Sequence, residues 1–207
     1  MPKSIALNID CMEYMKDIPD KAFDLAVVDP PYRDEKENRP TKDMRKNGKM
    51  SCFGNRPNNS FFNEIFRVSK NQIIWGANNF SLPPYKGFLI WEKTNIPENF
   101  TMSMAEMAFI SEGLGTISKV FRRTSQGETN DKRIHPTQKP ISLYEWIFEI
   151  YTKPGNKVLD THLGSGSSRI AAYKAGLDFV GCEIDPDYFN AQEERFQNYI
   201  AQTSLFY

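Results

Sequence analysis

The sequence predicts an α/β protein built on a doubly wound sheet. Short apolar runs alternate with amphipathic stretches toward both ends of the chain, which is the pattern of strands joined by covering helices. A glycine-rich turn, LGSGSS, stands between one such run and a helical stretch. Four runs end at or near an acid, at Asp10, Asp29, Asp160 and Glu183. Sheets of this class bind ligands at the carboxyl ends of their strands, and four acids on that edge are more than polar punctuation requires.

The elements follow in order along the sequence. SIALNI predicts the first strand and CMEYMKDI a short helix closed by Pro19. FDLAVV predicts the second strand, SFFNEIFRVS a helix and NQIIWGA a third strand. GFLIWEK and AEMAFISEG predict two more strands with a polar linker between them. GTISKVFRRTS fits neither period. ISLYEWIFEIYT is the clearest amphipathic helix, with Pro140 just before it. KVLDT, RIAAYKAG and LDFVGCEI read as strand, helix and strand, the helix closing on a glycine. DPDYFNAQEERFQNYIAQ predicts the last helix. The whole chain, 1–207, reads as one domain.

Composition narrows the class. The 207 residues are 40% hydrophobic and 25% charged, with 26 basic residues against 26 acidic ones. Zero net charge gives no global case for nucleic acid, so any basic surface must be local. Cys11, Cys52 and Cys182 form neither a metal spacing nor a disulfide framework, which fits a reducing cytoplasm. No signal pattern and no membrane-spanning run is found, so a soluble, cytoplasmic protein without a metal or membrane partner is expected. The local basic surface falls in residues 33–59, where eight basic residues oppose four acidic ones. A polar loop of that length is functional or disordered. Residues 33–60 are therefore expected to be a mobile basic insertion and a candidate recognition segment.

In KVLDTHLGSGSSRIAA, Gly164 and Gly166 remove side chains where a backbone turns sharply or lets a ligand approach. Glu183 ends the next strand 19 residues after Gly164, the place of the acid that holds ribose hydroxyls in nucleoside-binding folds. The full G-x-G-x-x-G pattern is absent. Asp160, just upstream, would repel a pyrophosphate and attract a sulfonium, which tilts the choice from a nicotinamide dinucleotide to S-adenosylmethionine.

VVDPPY ends the second strand. Prolines at 30 and 31 stiffen the backbone and remove two donors. That leaves an acceptor set of the Asp29 carboxylate and the Pro30 carbonyl. An exocyclic amine such as adenine N6 or cytosine N4 has two hydrogens to give such a set. Both bonds together would draw the nitrogen out of conjugation and make it a better nucleophile. Tyr32 could stack on the base.

VVDPPY, HPTQKP and DTHLGSGSS, in that order, resemble the beta-class DNA amino-methyltransferases, and the resemblance covers nearly the whole chain. It implies a seven-stranded, Rossmann-like S-adenosylmethionine-dependent methyltransferase sheet with an antiparallel hairpin strand, its catalytic motif placed before the cofactor loop. It implies S-adenosylmethionine as donor and a base flipped out of double-stranded DNA. The DPPY form is commoner among adenine-N6 enzymes, with cytosine N4 as the alternative target. By position, the resemblance implies a catalytic role for Asp29, Pro30, Pro31 and Tyr32. It implies cofactor contacts from Asp160, Gly164, Ser165, Gly166 and Glu183, from Asp10 near the adenine, from Asp29, and from His135, Thr137 and Lys139 before the first cofactor helix. Lys139, or the N-terminus of the helix after it, would meet the methionine carboxylate. Thr161 and His162 stand where the family often has Pro-Phe, and His162 is expected to pack as an aromatic ring.

The expected DNA contacts are Arg33, Lys36, Arg39, Lys42, Arg45 and Lys46 in the loop, with Arg122 and Arg123. The terminal QTSLF is similar to the motif by which bacterial proteins dock on the replication sliding clamp, with Gln202, Leu205 and Phe206 as anchors. Either a monomer or a homodimer on DNA is compatible with so small a recognition region. Two rival readings are a non-catalytic DNA- or cofactor-binding protein and a nicotinamide oxidoreductase; the second leaves Asp-Pro-Pro-Tyr unexplained.

Overall fold

A computed structural model describes residues 2–34, 54–125 and 133–204. Among them, eight strands form one sheet. They are β1 (Ser4–Leu7), β2 (Phe23–Val28), β3 (Ser69–Trp75), β4 (Phe88–Lys93), β5 (Ala105–Ile110), β6 (Lys119–Arg123), β7 (Lys157–Asp160) and β8 (Asp178–Cys182). The helices are α1 (Cys11–Lys16), α2 (Asn59–Val68), α3 (Ile141–Tyr151), α4 (Ser167–Lys174) and α5 (Pro186–Ser204). The strand order is β1-β8-β7-β2-β3-β5-β4-β6. Only β5 runs antiparallel to its neighbours.

The sheet is buried on both faces, which is why its central strands are continuous apolar runs rather than alternating ones. Leu25, Val27, Ile73, Trp75, Ala108, Ile110 and Val158 face one layer, formed by Leu143, Ile147 and Phe148 of α3 and Ala171 and Ala172 of α4. Ala26, Val28, Ile74, Phe109 and Leu159 face the other, formed by Met15 of α1 and Phe61, Phe62, Ile65 and Val68 of α2. Trp75 and Trp91 belong to the core.

The expected hairpin is β4–β5, but the sheet has eight strands, not seven. The additional strand, β6, comes from GTISKVFRRTS and pairs in parallel with β4 at the outer edge. Edge position leaves much of it exposed, so its sequence lacks the apolar signal of the inner strands.

The topology fixes where a site can form. β7 and β2 are adjacent and parallel. The chain leaves β7 through α4 on one face toward β8, and leaves β2 through α2 on the other face toward β3. This divergence is the switch point at which doubly wound sheets open a crevice. No described helix is long and apolar enough to cross a membrane.

Candidate active site

Asp29 follows the last residue of β2 and sits at that crevice. The Tyr32 hydroxyl donates to Asp29 Oδ1 at 2.6 Å, and Lys139 Nζ donates to Oδ2. The carboxylate is thereby fixed from both sides. Burial, then the charges of Asp29 and Glu106, push the Tyr32 phenol well above its ordinary range, so Tyr32 stays a neutral donor. Its ring lies edge-on to Phe80 and against Gly76. Gly76 has φ +71°, and a Cβ there would come within 2.1 Å of the Tyr32 ring.

Behind this motif runs a buried chain of alternating charge. Lys139 also binds Glu106 Oε2 at 2.9 Å, and Lys93 binds Glu106 Oε1 at 2.6 Å. The two carboxylates and two ammonium groups balance. Burial alone would raise the Glu106 carboxyl, but Lys139 and Lys93 outweigh it and hold the group below its ordinary range. Burial likewise opposes the charge on Lys139, and Asp29 and Glu106 overcome it. Lys139 is only 4% exposed and lies near the faces of Trp75 and Tyr32, 5.4 and 6.0 Å from their centroids. Its ammonium, on the lining of the cleft described below, is bound to Asp29 and Glu106.

The glycine loop connects β7 to α4. Glu183 Oε2 accepts from the Gly164 N–H at 2.7 Å, and Oε1 from the Asp185 N–H at 2.9 Å. Burial raises its pKa against those two bonds. Asp160 is placed differently from expectation. It does not line the cleft; it accepts from the His162 N–H at 3.0 Å and from Ser168 Oγ at 2.5 Å, and so braces the loop from beneath. Gly166, at φ +73°, is also off the lining, and a Cβ there would press on Gln192 of α5. Both residues shape the loop and leave Gly164 and Ser165 to face the cleft.

Burial pushes the Asp160 carboxyl up to about 7, against the lowering effect of Ser168 and the His162 amide. The unfolded chain releases this proton near the ordinary Asp value of about 3.9. Between the two values the folded state binds more protons, so stability falls as pH rises from about 4 to 7. The difference in thermal midpoint between Asp160→Asn and the wild type is therefore expected to shift in favour of the variant across that window, which a pH series of melts would show. A parallel pair of curves would contradict it.

One continuous cleft of about 640 Å³ joins the two halves. Asp10, His135, Thr137, Gly164, Ser165 and Glu183 line one end, and Asp29, Pro30, Pro31, Tyr32, Arg33 and Glu106 the other. Asp10 also caps α1, accepting from Met12 N–H at 2.7 Å. His135 stacks edge-on to Tyr188 with centroids 4.4 Å apart, and its Nδ1 accepts from the Thr137 N–H at 3.3 Å. His162 packs as an aromatic ring against Phe61, centroids 5.3 Å apart. Burial lowers its pKa to about 4, so it is neutral and no proton donor at neutral pH.

Arg33 is exposed on the cleft rim. Arg122 and Arg123 stand on β6, off the lining, with Arg122 Nε bound to Glu92 at 2.9 Å. Lys36, Arg39, Lys42, Arg45 and Lys46, and the tail anchors Leu205 and Phe206, lie outside the described residues. Gln202 is exposed on α5. Sequence reasoning missed Glu106, Arg56, Phe61 and Ile184, all on the lining. Glu106 alone carried a signal: it is an acid inside the otherwise apolar strand AEMAFI.

Comparison with known proteins bears on the family and the fold. The sequence model of the N6/N4 methyltransferase family, described as DNA methylase, matches residues 22–194. YubD of Escherichia coli strain K12 is 26% identical over 206 residues, covering 90% of this chain and 87% of that protein. The type II methyltransferase M1.MboII of Moraxella bovis is 25% identical over 241 residues, covering 88% and 92%. In fold, the crystal structure of the M1.HpyAVI–SAM complex is similar with a TM-score of 0.60 at 20% identity, over 94% of this chain and 100% of that one. The PvuII DNA methyltransferase, named as cytosine-N4-specific, is similar with a TM-score of 0.67 at 14% identity, over 95% and 87%. With the ordered motifs, the doubly wound sheet and a match across most of its length, the chain belongs to the N6/N4 DNA methylase family.

Proposed function

We propose that the protein methylates the N6 amine of adenine in a base flipped out of double-stranded DNA. The observation that carries this reading is Asp29 held by Tyr32 and Lys139 in the same cleft as the Gly164–Glu183 pair.

S-adenosylmethionine is the cofactor of the family, and the residues present fit it. A cleft of about 640 Å³ is of the size that holds a small ligand. Glu183 is aimed by two backbone N–H groups and suits a ribose diol. Ile184, apolar yet 65% exposed and on the lining, offers a face to a purine ring. Asp10, Thr137 and Ser165 supply further polar contacts on that end. When bound, the cofactor supplies an electrophilic methyl group on a sulfonium.

The chain's own residues do the rest. Asp29 and the Pro30 carbonyl accept the two amine hydrogens, which frees the nitrogen lone pair for attack. Lys139 fixes the rotamer of Asp29, so no reorganisation is needed during transfer. Tyr32 spends its proton on Asp29 and presents its ring to the cleft. Arg33, on the rim, suits a phosphate beside the flipped base. In this reading residues 33–60 and the β4–β5 and β6 edge carry recognition within a single catalytic unit.

Adenine is favoured over cytosine by the Asp in the first position of the motif, the form commoner among adenine-N6 enzymes. The likeness to the cytosine-N4-specific PvuII enzyme is one of fold and keeps N4 as the second reading, with the same amine chemistry. Nucleoside mass spectrometry on plasmid DNA incubated with the protein and S-adenosylmethionine separates them. N6-methyladenine is expected, and Asp29→Ala should lower its yield by about 10³-fold or more. N4-methylcytosine would keep the mechanism and overturn the base. A folded protein that binds the cofactor and methylates neither base would sink the proposal.

A further inference from the structure

Three of the eight large apolar side chains exposed among the described residues, Phe100 (55%), Met102 (46%) and Met104 (41%), fall within five residues of one another. They lie on the loop 94–104 between β4 and β5. That loop rises from the carboxyl edge of the sheet, the edge that bears Asp29. Its stem springs from the site itself: Lys93 ends β4, Glu106 stands at the start of β5, and the two are joined at 2.6 Å.

The stem is pinned while the tip is bare. The Lys93 N–H donates to the Met104 carbonyl at 2.8 Å, and the Ile96 N–H to the Lys93 carbonyl at 3.2 Å. Asn95 exchanges two bonds with Ser125, at 2.7 and 3.1 Å. The Thr94 N–H reaches the Arg123 carbonyl at 3.2 Å. Ile96 tucks inward, and Phe100 is held in a turn by its N–H on the Pro97 carbonyl at 3.0 Å. A braced loop that holds large apolar groups in water points to a partner surface. Arg123 of β6 stands beside its stem, as does Arg122, which is paired with Glu92. The chain belongs to a DNA methylase family, and the base stack of duplex DNA is an apolar surface that such a tip can enter.

We infer that the 94–104 loop is a wedge whose Phe100 and Met102 enter the base stack and fill the space the target base vacates. Unstacking a base is costly, and apolar side chains inserted at a base step are a known compensation. The loop's base carries Glu106, which lines the cleft, and Lys93, which is bound to it, so the wedge stands on the same edge of the sheet as the cleft that takes the flipped base. The inference rests on the DNA-methylation reading above.

The test uses the full chain and a duplex oligonucleotide bearing its own methylated site, mapped first on plasmid DNA. Methylation rates are compared for the fully paired duplex and for the same duplex with an abasic position opposite the target base, where flipping is already easy. Phe100→Ala/Met102→Ala is expected to lose tenfold or more on the paired duplex and to come within threefold of the wild type on the abasic one, with an unchanged thermal midpoint. Ile117→Ala, at another exposed apolar position (72%) ahead of β6, is expected to match the wild type on both. An equal loss on both duplexes, or no loss on either, would overturn the wedge alone. A wild type that methylates no DNA would overturn the methylation reading and the wedge with it.

Discussion

Replacing Lys139 with methionine is expected to lower kcat by about 100-fold or more while leaving cofactor affinity within about threefold. Methionine keeps the length and the apolar stem of lysine, so packing against Trp75 and Tyr32 survives. The charge does not. Asp29 then keeps only the Tyr32 hydroxyl, and Glu106 keeps Lys93 and a longer bond of 3.4 Å from that same hydroxyl. Removing one partner from a buried ion pair is destabilising by roughly 3–5 kcal/mol; the remaining partners place this case near the lower end. For a domain of this size that corresponds to a fall of roughly 6–12 °C in thermal midpoint. Denaturant unfolding, single-turnover methylation and cofactor titration together check it. An unchanged kcat with a tenfold loss of cofactor affinity would instead return Lys139 to the cofactor carboxylate.

Gly76→Ala tests the other support of the motif. The left-handed backbone at φ +71° disfavours alanine by about 1–2 kcal/mol. The larger effect is steric: the new methyl would overlap three atoms of the Tyr32 ring, at 2.1, 2.5 and 2.7 Å. Gly76 cannot retreat, because its N–H donates to the Met107 carbonyl of β5 at 2.8 Å. Tyr32 must move, and its hydrogen bond to Asp29 goes with it. A loss of about 100-fold in kcat is expected. Gly76→Asn separates the two causes, since asparagine tolerates the left-handed region but still carries a Cβ. It should recover the backbone part of the stability loss and no activity. Recovery of both would locate the defect in the backbone rather than in Tyr32.

Much of the fold and part of the site are legible in the sequence, for a local reason. Asp-Pro-Pro-Tyr and Leu-Gly-Ser-Gly carry their chemistry within four or five consecutive residues, and each follows an apolar strand that announces its position. The acid Glu183 is legible because a strand and helix of ordinary length fix its distance from Gly164. What the sequence does not disclose depends on partners far along the chain. Lys139 and Asp29 are 110 residues apart, and nothing in HPTQKP tells whether its lysine turns to a cofactor or to a carboxylate of the same protein. Asp160 and Gly166 sit in the right motif but point away from the cleft, because one turn of backbone presents its residues to opposite sides. The eighth strand was hidden because an edge strand needs few apolar residues.

The neighbour relations in the sheet also set the order in which the protein can become active. β2 lies beside β7, and β1 beside β8, with Ser4 paired to Phe179. β1 therefore finds its mate, and β2 its second mate after β3, only in the last third of the chain. A ribosome that has made the Asp29 motif must still supply well over a hundred residues before the crevice has a second wall. Such distant pairings slow folding. During synthesis Asp29 is thus made long before Gly164 and Glu183, and the cleft that the three line together is completed late.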